Sequence, residues 1–409
     1  MKAILVIADG LGGRPTDFNG KTCLEAASTP NLDELASKGI NGILYPIKPG
    51  VRPGSDTAHL SIFGYDPYKF YTGRGVFEAL GVGMEVKEGD ICFRTNFATI
   101  KEDFTVLDRR AGRIKEGTKE LENALHKLDE LYKDVRIIFK ASVEHRGALI
   151  LRGRNLSHQI SDADPHKTGV KIEGAKPLVE DDKAKRTAEI VNRIVKESYR
   201  LLKDHPINLE REKRGALPAN VILPRGASIK IKMPSLEELY GIKGIAVAGG
   251  ALYMGIARAV GLEIMKAEGA TGRADTNIIN KMKVAIEGLK QADFAFIHIK
   301  GADSCAHDRD AEAKIRFIEK IDEGIGYLMD NVDWGETHIA FTGDHSTPIA
   351  FGDHSADPVP IVISGPNVVR DDVKEFNERS ALRGGLGKIN GNVVPILFGY
   401  CDWLEKYGT

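Results

Sequence analysis

The chain of 409 residues carries 57 Lys and Arg against 58 Asp and Glu, a net charge of -1, so no global field directs it to nucleic acid or to an anionic membrane. Its length allows two domains and a large buried core, and no apolar run approaches the roughly 20 residues that span a bilayer. The four cysteines form no CxxC pair and read as buried thiols of a reducing cytoplasm, while 28% charged residues with Gln159 and Gln291 as the only glutamines fit a heat-adapted organism.

The first apolar run, Ala3–Ala8, is too short for a signal-peptide core, and Asp9 with the following glycines closes it. It reads as a strand buried on both faces. So do Gly244–Ala248, Ala292–Ile299, His338–Thr342 and Val359–Ile363. Helical patterns lie at Asn31–Lys38, Leu252–Val260, Asp275–Lys290 and Ala311–Met329. This alternation predicts an α/β sandwich with a largely parallel central sheet and helices on both faces. Between about 84 and 177 the runs shorten and alternate: Ile91–Ile100, Phe104–Leu107, Val135–Ala141 and Ala148–Leu151, with one amphipathic helix at Thr118–Leu131. That region predicts a small inserted α+β cap domain over 84–177, within a main domain of 1–83 and 178–409. A charged helix (Asp181–Leu202) and a Pro/Gly-rich stretch (Leu217–Pro234) lead back to the sheet.

The chemistry gathers where predicted strands end, which in open parallel sheets is the ligand crevice. Asp9 follows the first strand. Asp303 and His307 are spaced to share one face of a helical turn. Asp344-His345 closes another strand, its two side chains expected on opposite sides of extended backbone, and His354 follows nine residues later. Three aspartates and three histidines are too many for one catalytic ion that keeps an open position. Their mixed oxygen and imidazole character suits a pair of Mn²⁺ or Zn²⁺ ions better than Mg²⁺. Ser55, in Gly54-Ser55-Asp56-Thr57-Ala58-His59, is the best nucleophile, although a simple helix-capping role is the plainer alternative. Cations for a phosphorylated, carboxylate-bearing substrate are available at Arg94, Arg109, Arg110, Arg113, His145, Arg146 and the Asp162–Lys167 segment. Arg273 and Lys300 supply more on the sheet side. Gly249-Gly250 imitates a dinucleotide fingerprint at the wrong spacing and reads as tight packing.

These segments resemble the alkaline phosphatase superfamily, through Asp9-Gly10, Gly54–His59, Asp303-x3-His307, Gly343-Asp344-His345 and His354-Ser-x-Asp-Pro-Val-Pro. Further motifs, Cys92–Thr99, Ser142–Gly147 and Ile160–His166, make the chain similar to the archaeal type of cofactor-independent phosphoglycerate mutases. The resemblance implies two divalent ions, Mn²⁺ first, with Mg²⁺, Co²⁺ or Zn²⁺ as alternatives, and no 2,3-bisphosphoglycerate. Asp9, Ser55, Asp344 and His345 would hold one ion, and Asp303, His307 and His354 the other. Ser55 would carry the phosphoryl group between 3- and 2-phosphoglycerate while the glycerate stays under the cap. Arg94, Arg113, His145, Arg146, Asp164, Arg273 and Lys300 would bind substrate. A metal-dependent phosphatase or phosphonate-cleaving enzyme is the alternative within that superfamily, and a metal-stabilised structural protein the alternative outside it. The expected partner is a small phosphoglycerate, without nucleic acid or membrane; a homo-oligomer stays open, and the expected location is cytoplasmic.

Overall fold

The computed structural model describes residues 1–408, and the chain divides into two compact units, Met1–Phe70 with Met233–Thr409, and Tyr71–Lys232. In chain order the strands begin with β1 (Lys2–Ala8), β2 (Ile40–Tyr45), β3 (Ile91–Ile100), β4 (Val106–Asp108), β5 (Val135–Ala141), β6 (Arg146–Gly153) and β7 (Val221–Ile229). They continue with β8 (Gly244–Val247), β9 (Glu263–Ile264), β10 (Phe294–Ile299), β11 (Thr337–Thr342), β12 (Val359–Ser364) and β13 (Gly387–Asn390).

The first unit is built on an eight-stranded sheet in the order β13-β2-β12-β11-β1-β10-β8-β9. Neighbours run parallel except at β12, which is antiparallel to both β11 and β2. The expected largely parallel α/β architecture is therefore present. The period of two along β10 shows why both faces need helices. Ala295, Ile297 and Ile299 enter a core formed with the helices Pro30–Ser37, Ile278–Gly288 and Ala311–Asn331. The alternate residues Phe294 and Phe296 turn to the other face, where Phe63 and Phe398 meet them edge-on. His298, next in that alternation, lies on the same side as Phe296. Among the described residues no helix is long and apolar enough to cross a membrane.

The second unit is an antiparallel sheet in which β3 pairs with β4, β6 and β7, and β5 pairs with β6. The helix Asp182–Leu202 buries Ala188, Val191, Ile194 and Val195 in one core with Phe93, Phe97, Leu149, Leu151 and Leu223.

Here the expected boundaries need correction. The inserted unit spans Tyr71–Lys232 rather than 84–177, so the charged helix and the stretch after it belong to the insertion. The reason is β7. Pro224 and Gly226 made this segment read as a loop, yet it pairs with β3 from Val221 to Ile229. Proline is tolerated because β7 is bonded to β3 alone, and an edge strand can spare an N–H. Strands β2 and β13 were also not legible, being short and interrupted by glycine.

Candidate metal centre

The carboxyl ends of β1, β10 and β11 lie side by side, and each delivers one part of the constellation. Asp9 follows β1 and is fully buried. The helix Gly301–His307 begins just after β10, places Asp303 and His307 on one face, and is fastened by Asp303 N–H donating to the Asp9 carbonyl at 3.0 Å. Beyond β11 the backbone turns off the strand. In consequence Asp344 and His345 do not diverge as extended residues would; His345 Nε2 lies 3.3 Å from Asp344 Oδ2 and 3.4 Å from Asp9 Oδ1. Gly54 caps the helix Ser55–Ile62, so Ser55 is its first residue, and Ser55 Oγ stands 3.2 Å from His345 Nε2.

The hydrogen bonds decide what these atoms can do. Asp344 Oδ1 accepts from Gly10 N–H at 3.0 Å, leaving Oδ2 buried without a hydrogen bond. Asp9 Oδ2 accepts from the Tyr253 hydroxyl and from Lys300 Nζ at 3.1 Å, while Oδ1 is buried and unpartnered. Thr347 Oγ1 donates to Asp303 Oδ1 at 3.3 Å and so accepts from His345 Nδ1 at 3.0 Å. That leaves the Nε2 lone pair of His345 facing two orphaned carboxylate oxygens. Three electron-rich atoms converge in a dry site, an arrangement a cation relieves. Asp9, Asp344 and His345 offer ligand atoms within 4.8 Å of one another.

A second group adjoins the first. Asp303 Oδ1 lies 3.2 Å from His307 Nε2 and 3.5 Å from His354 Nε2, and Asp303 Oδ2 accepts from Lys300 Nζ at 2.6 Å. His307 Nδ1 donates to the Gly352 carbonyl at 3.0 Å and His354 Nδ1 to that of Pro53 at 2.9 Å, so both present Nε2 inward. Asp303, His345 and His354 also fall within 4.8 Å, which makes His345 a neighbour of both groups. The donor set, carboxylate with imidazole and no thiolate, fits hard to borderline divalent ions.

The electrostatics match. Burial pushes Asp344 up, and the adjacent Asp9 charge pushes it further, so a nearby cation would favour its charged form. Burial also acts against Asp9, but Lys300, His298 and His345 overcome it and hold that carboxyl well below the usual range. The Asp303 hydrogen bond lifts His307 to about 9, so a metal entering there displaces a proton. Thr347→Val removes the acceptor that fixes the His345 tautomer. Calorimetric titration of metal-stripped protein with Mn²⁺ is expected to show affinity lowered by roughly 10- to 100-fold.

Lys300 thus joins Asp9 and Asp303, as its place after β10 suggested. Arg273 is exposed in the turn before Ile278–Gly288. The other predicted residues lie in the second unit. Arg94 is half-buried on β3, 3.4 Å from Glu78, and desolvation followed by the Arg74 field brings its guanidinium down to about 9. His145 is buried with Nδ1 unpartnered; burial, then Arg146, Arg110, Arg94 and Arg113, holds it down to about 3. These arginines surround one neutral imidazole, a field that favours an anion. Arg113 is exposed, and Arg146 pairs with Glu144 at 3.7 Å. Asp164 grips Arg109 in bidentate fashion at 2.8 and 2.6 Å.

Four residues at the centre were not foreseen: Tyr253, Thr347, His59 and His298. His59 Nδ1 donates to the Ser55 carbonyl at 2.6 Å, and His298 stacks on Tyr253 with centroids 3.4 Å apart. Burial lowers His59 to about 4 and His298 to about 3, so both stay neutral. A polar residue at the end of an apolar strand pattern, as His298 is, was the one available signal.

Comparison with known proteins gives consistent results. Residues 36–208 match a family profile described as 2,3-bisphosphoglycerate-independent phosphoglycerate mutase. A Methanocaldococcus jannaschii protein named 2,3-bisphosphoglycerate-independent phosphoglycerate mutase 1 is 49% identical over 410 residues, covering 100% of this chain and 99% of that one. A Methanococcus aeolicus protein named 2,3-bisphosphoglycerate-independent phosphoglycerate mutase is 50% identical with full coverage of both. Among solved structures, the PH0037 protein from Pyrococcus horikoshii superposes with a TM-score of 0.85 at 41% identity, covering 100% of this chain and 99% of that one. A cofactor-independent phosphoglycerate mutase from Thermoplasma acidophilum superposes with a TM-score of 0.69 at 38% identity, covering 98% and 100%.

Proposed function

The chain belongs to the 2,3-bisphosphoglycerate-independent phosphoglycerate mutase family, and from that premise we propose how its residues divide the work. It is an isomerase that interconverts 3- and 2-phosphoglycerate. The observation that carries the site reading is the convergence of Ser55 Oγ, His345 Nε2 and two orphaned carboxylate oxygens in one buried cluster.

Asp9, Ser55, Asp344 and His345 would hold one divalent ion, and Asp303, His307 and His354 a second. Mn²⁺ is the first choice, with Mg²⁺, Co²⁺ or Zn²⁺ as alternatives. Once bound, such ions supply the positive charge that acidifies the serine hydroxyl and offsets charge on the transferring phosphoryl group. Ser55 Oγ bonds to phosphorus as the bond from phosphorus to the C3 oxygen breaks, and the proton given up by the serine matches the one the C3 oxygen gains. The 2-hydroxyl then takes the phosphoryl group from Ser55, with the same exchange reversed. Lys300, already between Asp9 and Asp303, neutralises charge during both transfers. Within the second unit Arg94, Arg113, His145, Arg146 and Asp164 are the proposed contacts for the carboxylate and hydroxyls, and within the first unit Arg273 is the proposed alternative to Lys300 as the neutralising cation. The four cysteines are all free and buried, in keeping with the cytoplasmic location this reading carries.

With Mn²⁺ and 3-phosphoglycerate, and no 2,3-bisphosphoglycerate, the protein is expected to yield 2-phosphoglycerate. Phosphorus NMR that finds inorganic phosphate as the sole product would transfer the assignment to the phosphatase alternative, which full-length relatives named as mutases do not favour.

A further inference from the structure

We propose that Asp353, together with His307 and His354, forms an outer cation-capture site from which a divalent ion passes to the buried Asp303. The inference rests on the metal reading above and assigns a residue outside that ligand set. Ligand atoms of Asp353, His307 and His354 lie within 4.8 Å of one another. The three grade from solvent inward: Asp353 and His307 are exposed, His354 is half-buried, and Asp303 is 3% exposed.

Two imidazoles are common to both sets. His307 and His354 are thus candidate ligands in either set, and the sets differ in their carboxylate, Asp353 outside and Asp303 inside. A hydrated divalent ion sheds its water in steps, and an exposed carboxylate is the natural first partner. One carboxylate with two imidazoles suits the same ions as the inner position.

The Asp353 carboxylate also has two other partners. Its Oδ2 accepts from Arg52 Nη2 at 2.8 Å, and its Oδ1 accepts from the His354 N–H at 2.8 Å. Both members of the ion pair are more than half exposed, at 52% and 58%, and such pairs hold weakly against a competing charge. Arg52 Nε also donates to the His354 carbonyl at 2.8 Å, and His354 Nδ1 to Pro53. The loop therefore keeps its place when the Asp353 carboxylate is released to a metal.

The test uses metal-stripped full-length protein and Mn²⁺ alone, with loss of the free-ion EPR signal after rapid mixing as the readout. Asp353→Asn removes the charge and keeps one acceptor oxygen, so one of the two hydrogen bonds survives, while Arg52 Nε stays on the His354 carbonyl. It is expected to slow Mn²⁺ uptake about tenfold while leaving the final stoichiometry unchanged. Asp303→Asn is expected to keep the ion of Asp9, Asp344 and His345 and to bind a second one weakly at the outer set, and the pair Asp303→Asn with Asp353→Asn to weaken that second binding by a further factor of about ten. Wild-type uptake kinetics in Asp353→Asn, or a double variant that binds like Asp303→Asn, overturns the capture site and leaves the two-ion reading standing. Wild-type protein that binds no Mn²⁺ overturns both.

Discussion

Ser55→Ala is expected to lower the conversion of 3- to 2-phosphoglycerate by at least about 10³-fold, the scale on which loss of a nucleophile is felt. The fold should survive. The Ser55 side chain is buried at the start of its helix and bonds only to His345 Nε2, while Gly54 caps the helix and Thr57 Oγ1 accepts from the Gly54 N–H at 3.2 Å. Losing one neutral hydrogen bond costs about 1 kcal/mol. Circular dichroism melts near wild type, together with abolished turnover, separate a nucleophile from a capping residue. Mass spectrometry adds a positive control: wild-type protein mixed with substrate should carry phosphate on Ser55, and the variant none. Turnover within tenfold of wild type would remove Ser55 from the chemistry.

Asp344→Asn should produce a second large loss, with a stability signature opposite to ordinary core damage. Burial and the Asp9 charge both raise the Asp344 pKa, which favours the neutral acid over the carboxylate. An asparagine is nearly isosteric with that neutral acid. Its amide oxygen can keep the Gly10 N–H bond, and its amide nitrogen takes the place of Oδ2, 3.3 Å from His345 Nε2, whose lone pair it would share with the Ser55 hydroxyl. The metal-free variant is thus expected to melt at or slightly above the metal-free wild type. Added Mn²⁺ should raise the melting temperature of wild type and raise that of the variant less, since a bound ligand stabilises only as far as it binds. Activity should fall by at least about 10³-fold, the ligand for one ion being gone. A variant that melts well below wild type without metal, yet gains as much from Mn²⁺, would show Asp344 to be a structural residue only.

Much of the chemistry was legible because it consists of residue types that an apolar core has no use for. Asp9, Asp303, Asp344, His307, His345 and His354 stand where strands stop, and a parallel sheet brings its strand ends together, so position along the chain forecast convergence. The supporting residues carried no such mark. Tyr253 sits in an apolar helix pattern and Thr347 in an unremarked turn, and only folding shows that one bonds Asp9 and the other fixes His345. The same holds for Arg225, a partner of Asp164 at 3.7 Å on a strand that proline and glycine disguised.

By itself the sequence determined the alternation of buried strands and helices, the candidate metal ligands, the best candidate nucleophile and the existence of an inserted segment, because each follows from local spacing and side-chain chemistry. The tertiary structure alone decided the extent of that insertion, the turn after β11 that swings Asp344 and His345 onto one cluster, and the hydrogen-bond partners of each candidate ligand. Those depend on which backbone and hydroxyl groups arrive from elsewhere in the chain, and pairing between distant segments leaves no trace in the spacing of either one.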